Sequence, residues 1–199
     1  MMVLTGNKAL EVEKLLIRIT SCIYNEKANP FPNFSLLEQW SALVWHEEEG
    51  KEDNSNSWIN KDKFFKLVKV LSESASTKSL YLAFAHRELN ENNEPLPRVI
   101  LELPLEWDDI FNYESKLEYC PNQFYVFDDS LSWFIHVDDS VLLAGEPSFI
   151  SSYTLINGGV DSTSEMFDRY LVDITSNDTV NWVKIIKERY LKNIRKVVY

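Results

Sequence analysis

Glycine is scarce in this chain, five among 199 residues. No GxxxxGK[ST] or GxGxxG run occurs, so the glycine-rich loops that cradle phosphates or dinucleotides are missing. The one double glycine, Gly158-Gly159, follows Ile156-Asn157 and reads as a helix stop. Cysteine is rarer still. Cys22 and Cys120 form no CxxC pair, which argues against a zinc ribbon and against a disulfide framework. Neither has a basic sequence neighbour that would favour a reactive thiolate. The three histidines, His46, His86 and His136, each follow an apolar run, but no two stand at i, i+4 and there is no HExxH. A GxSxG elbow is also missing. No apolar run approaches the ~18 residues of a membrane span. Lys8, Glu11, Glu13 and Lys14 break up the amino-terminal stretch where a signal peptide needs an unbroken apolar core. The expectation is a cytoplasmic chain with free thiols, no metal, no cofactor and no membrane contact.

Bulk and acid are what the chain has in quantity. Six Trp, nine Tyr and eleven Phe lie in a composition that is 45% hydrophobic, enough for a core without covalent staples. The length favours one domain over residues 1–199. The formal net charge is −11, which repels nucleic-acid phosphates and attracts basic proteins. The exception is residues 178–199, where six basic side chains face Asp178 and Glu188, a net of +4.

Periodicity predicts an α+β fold. Leu10, Leu15, Leu16, Ile19 and Ile23 suggest a helix over 7–27, ended at Pro30 and Pro32. Ser35 and Glu38 have capping-box spacing, and the apolar residues that follow predict a second helix over 35–48; a run this short also suits a buried strand. After a polar loop at 47–57, Asn60 opens a third helix with Phe64, Leu67, Val68 and Leu71 inward. The period then becomes two. Residues 80–103 read as a hairpin with a long tip at 90–95, and a short helix over 106–118 follows. Strands at 123–127, 131–137 and 141–144 make a meander, giving one antiparallel sheet with the hairpin. Shorter helices at 147–156 and 163–171 precede a carboxy-terminal amphipathic helix over 178–197, with Val183, Ile186, Tyr190, Ile194 and Val197 on its apolar stripe.

The meander contains Asp-Asp-Ser twice, at Asp128-Asp129-Ser130 and Asp138-Asp139-Ser140. In a meander these turns stand at opposite ends of the strand between them, roughly 20 Å apart at ~3.3 Å per residue. Paired glycosidase carboxylates need ~5–9.5 Å, and two-metal sites ~4 Å. The pairs therefore cannot act on one atom, and Asp and Ser are turn-forming residues in their own right. No catalytic and no metal-ligating residues are expected.

The stretch NQFYVFDDSLSWFIHVDDSVLLAG resembles small bacterial proteins of the toxin-immunity type. It shares an aromatic strand, an acidic turn, a Ser-Trp strand and a short strand ending in glycine, carried here by Phe124, Tyr125, Phe127, Asp128, Ser132, Trp133 and Gly145. The resemblance implies a non-enzymatic acidic protein-binding module that neutralises a basic toxin domain in the bacterial cytoplasm. Acidic side chains would then meet the basic partner and an aromatic would anchor the contact. The candidate contact residues are Trp107, Asp108, Asp109, Asp128, Asp129, Asp138 and Asp139. Two alternatives stay open: a regulatory or scaffold protein that docks through the basic carboxy-terminal helix, and a small hydrolase with an acid or histidine site.

Overall fold

A computed structural model describes residues 1–21, 40–46, 58–74, 77–113, 117, 123–138 and 140–198. Cys22, Cys120, the Pro30–Pro32 break, the Ser35–Glu38 box, the 47–57 loop and Asp139 lie outside the described residues. The fold is α+β, with seven strands in an antiparallel sheet and six helices among the described residues. In chain order these are β1 (Met2–Val3), α1 (Gly6–Ser21), β2 (Ser41–Trp45), α2 (Lys61–Ser74), β3 (Ser79–Phe84), β4 (Ile100–Pro104) and α3 (Trp107–Phe111). Then follow β5 (Phe124–Phe127), β6 (Trp133–Val137), β7 (Val141–Gly145), α4 (Pro147–Ile156), α5 (Gly159–Asp173) and α6 (Asn177–Val198). No described helix is long and apolar enough to cross a membrane.

The chain divides into two compact units. The first comprises Met1–Ser35 and Thr77–Asp138, the second Leu36–Ser76 and Asp139–Tyr199. Strands of the first unit run in the order β1-β4-β3-β5-β6. The expected hairpin is present, with Leu80 opposite Leu103 and Leu82 opposite Leu101. β5 pairs with β3 on one side and with β6 on the other, Val126 standing opposite Leu82 and Ile135. Alternation places Leu80, Leu82, Leu101, Leu103, Phe124 and Val126 on one face. That face receives α3 and the loop after it, where Tyr113 meets Phe124 edge-on at 5.9 Å. The other face carries Tyr81, Glu102, Tyr125 and Phe127, and Lys8 of α1 reaches Glu102 across it.

Three expectations in this unit need correction. α1 buries Ala9, Val12, Glu13 and Leu16, while Leu10 is 51% exposed. Leu16 is buried as expected, but Ala9, Val12 and the polar Glu13 take the place of Leu10, with Glu13 paired to the arginines described below. The helix over 106–118 is described only at Trp107–Phe111. Leu131 belongs to a turn and not to a strand: its φ is +58°, the left-handed region that costs a non-glycine residue about 1 kcal/mol, and β6 begins at Trp133.

In the second unit β2 and β7 pair from Ser41 opposite Gly145 to Trp45 opposite Val141. The expected helix over 35–48 is here a strand. Both strands are buried along all five residues, so each is covered on both faces and carries no amphipathic period to read. α4, α5 and α6 lie against β2, and α2 lies against α4. α2 starts where the sequence suggests, since the Asn60 side chain accepts the Lys63 N–H at 2.9 Å. α4 and α5 are separated by Gly158 (φ +93°), where a Cβ would stand 2.6 Å from Ser162 Oγ. Tyr190 of α6 lies between the hydroxyls of Thr154 on α4, at 3.1 Å, and Thr163 on α5. Val183, Ile186, Tyr190 and Ile194 form the buried stripe of α6, but Val197 is 47% exposed and falls off it.

Candidate protein-binding surface

Several acidic side chains of the first unit stand at the two ends of its strands. At one end β3 begins, β4 leads into α3, and β5 turns into β6. The turn is built around Asp128, which is fully buried. Its Oδ1 accepts the Ser130 N–H at 2.9 Å and the Ser130 hydroxyl at 2.5 Å, and its Oδ2 accepts the Thr77 hydroxyl at 2.8 Å. This carboxylate is a turn scaffold and presents nothing to a partner. Asp129, one residue on, is exposed.

On α3 the two adjacent acids also separate. Asp108 is exposed, whereas Asp109 Oδ1 pairs with the Met1 ammonium at 3.1 Å. Trp107 is 9% exposed, with its ring 5.5 Å from that of Phe111. It is a packing residue, which removes it as the exposed anchor expected from sequence. Glu106 just before it is exposed.

At the other end of the strands stand Asp138 and the loop of the β3–β4 hairpin. Asp138 Oδ1 accepts the Gln123 amide at 2.9 Å, and the Gln123 carbonyl lies 2.6 Å from His86 Nε2. Gln123 and Asp128 bracket β5, so the two acidic corners are about 16 Å apart along it at ~3.3 Å per residue. The structure thus keeps Asp128 and Asp138 apart, as the meander predicts. Among the described residues no three His, Cys, Asp or Glu side chains gather to hold a metal ion.

Between the ends runs a set of internal ion pairs. Lys8 Nζ donates to Glu102 at 2.5 Å and Ser79 adds a bond at 3.0 Å, which holds the Glu102 carboxyl below its usual range. Tyr81 opposite is pushed up by burial, with the Glu102 charge adding to the effect. Glu13 is 8% exposed and takes Arg87 as a hydrogen-bonded partner, with Arg98 Nε at 3.4 Å. Burial and the neighbouring Arg87 make the Arg98 guanidinium less basic than usual. Arg98 also donates to the Phe84 carbonyl and, at 2.5 Å, to that of Ala85. His136 stacks on Tyr125 with ring centroids 4.8 Å apart; burial pushes its pKa down to about 4, against an opposing pull from Asp138. These groups are absorbed by the fold.

The outward carboxylates form a different set. Residues 88–138 contain twelve acids against Arg98 and Lys116, a net of −10 within a chain total of −11. Exposed among them are Glu88, Glu91, Glu94, Glu106, Asp108 and Asp129. The paired aspartates are the conspicuous acids of the sequence, whereas Glu91 and Glu94 fall in the tip at 90–95 and Glu88 in the hairpin just before it. The available signal was that residues 88–97 hold three acids and no base around Leu89, Leu96, Pro95 and Pro97.

Compared with known proteins, the chain matches no protein-family model, no curated protein and no solved structure.

Proposed function

We propose that this chain is a non-enzymatic, acidic protein-binding module that captures a basic partner, in the manner of an immunity protein neutralising a basic toxin domain in the bacterial cytoplasm. The observation that carries the reading is the concentration of charge: residues 88–138 hold a net −10, and their exposed carboxylates are spread over the strand ends of one compact unit. A field of that sign speeds encounter with a basic surface and turns nucleic-acid phosphates away. The alternative, docking through α6, is supported by the exposure of Lys184, Lys192, Arg195 and Lys196 while its apolar stripe is spent on the second unit.

The test is capture from the source organism at about 0.05 M and 0.5 M salt, followed by reconstitution with the purified captured protein, since screening weakens an electrostatic complex. The expected result is a basic protein whose association slows at least tenfold at the higher salt and on neutralising Glu106, Asp108 and Asp129 together. Equal retention at both salts, or loss on reversing Lys192 and Arg195 instead, overturns it.

A further inference from the structure

Asn157-Gly158 is the one Asn-Gly pair in the sequence, and it stands where α4 ends and α5 begins. Asparagine before glycine is chemically labile, because a residue without Cβ leaves its nitrogen unshielded and free to turn toward the preceding side chain. That nitrogen attacks the asparagine Cγ and gives up its proton, the side-chain nitrogen leaves as ammonia, and a cyclic imide forms. Water then opens the imide at either carbonyl. One opening gives aspartate; the other reroutes the main chain through Cγ and gives isoaspartate. Water has access here, since Asn157 and Gly158 are half-buried and Gly159 is exposed.

The fold holds the pair in a conformation that cannot react. Cβ stands about 120° from the amide nitrogen around the Cα–C bond, so ring closure needs ψ of about −120°. Asn157 has ψ 22°, which turns the Gly158 nitrogen away from the side chain it must attack. Hydrogen bonds fix that geometry. The Asn157 N–H donates to the Tyr153 and Thr154 carbonyls at 3.1 Å each, and Asn157 Nδ2 donates to the Tyr153 carbonyl at 2.7 Å. The Gly158 N–H reaches the Leu155 carbonyl at 3.4 Å. Gly158 and Gly159 then take φ +93° and +87°, and α5 starts at once. The Tyr190 hydroxyl ties the two helices together through Thr154 and Thr163. Reaching the reactive ψ therefore means undoing the end of α4 and turning the start of α5. We infer that Asn157 is a deamidation site gated by the α4–α5 junction, silent while the junction is closed and reactive when it opens. The inference concerns the second unit and stands apart from the capture reading. The change runs one way. Aspartate has no donor for the Tyr153 carbonyl, and isoaspartate adds a methylene to the main chain beside two left-handed glycines. A junction that has reacted opens more easily than before.

The test incubates the full chain at mildly alkaline pH, folded and in concentrated urea, and follows Asn157 by peptide mapping that separates asparagine, aspartate and isoaspartate. Deamidation at Asn157 should be at least about tenfold slower in the folded chain, because the reactive form is populated only by local opening. Tyr190→Phe should speed the folded reaction at least about threefold and leave the rate in urea unchanged. Asn157→Asp, which carries one product from the start, should quicken amide hydrogen exchange over residues 153–163. Equal rates in the folded and unfolded chains overturn the gate, as does a folded rate that Tyr190→Phe leaves unmoved. An Asn157 that stays intact in urea overturns the site itself. Unchanged exchange in Asn157→Asp overturns the one-way loosening.

Discussion

Asp128 and Asp129 are chemically identical neighbours with opposite fates. Asp128 organises a turn through three hydrogen bonds, and Asp129 faces water. Asp128→Ala strands its donors and is expected to lower unfolding stability by about 1–3 kcal/mol, whereas Asp129→Ala should change it by less than about 0.5 kcal/mol; urea titration of the two variants checks both. The turn itself was legible, because an aspartate that captures the N–H two residues on acts locally. Which aspartate is sealed was not, since that depends on Thr77, 51 residues away. Trp107 illustrates the same limit: an aromatic beside two acids reads as a contact anchor until the fold places it at 9% exposure.

His136 makes a prediction at the same scale. Its folded pKa of about 4 lies below the ordinary 6.5, so the unfolded chain takes up the proton first. Stability is then full above 6.5 and declines as pH falls from 6.5 towards 4, by at most about 3 kcal/mol. Denaturant midpoints measured across that window should show the slope, and His136→Phe, which keeps a ring against Tyr125, should flatten it.

At the scale of elements, length and period decide what a sequence reveals. α6, 22 residues long with a stripe at steps of three and four, was plain except at Val197, which is exposed. β2 was not, because five buried residues carry no period to choose between helix and strand. α1 shows a subtler failure. Leu10 faces out and Val12 in, beside a buried Glu13 whose arginine partners lie more than 70 residues away, beyond any local pattern. Leu10→Ser should therefore be nearly neutral and Val12→Ala destabilising by about 1–2 kcal/mol, in thermal melts of the two variants. In the second unit, Tyr190→Phe removes the hydroxyl that links α4, α5 and α6. The expected loss is about 1–2 kcal/mol, readable by denaturant titration, because Thr154 is left without that buried partner.

At the scale of the molecule, the two compact units are interleaved in sequence, with residues 36–76 set between the two stretches that build the first. Composition gave no hint of this, since no linker-like stretch marks the boundaries and only long-range pairing creates them. Charge also organises at this scale: residues 1–87 sum to zero and 139–199 to −1, so the acidity belongs to one stretch of chain and not to the whole surface. Arg98 and Glu13 hold the root of the β3–β4 loop, while residues 91–97 beyond it are exposed throughout. Changes to those residues are invisible to the core. Over evolutionary time such an element can drift freely, so that close relatives of this chain would diverge first at the tip of this loop while the scaffold stays the same.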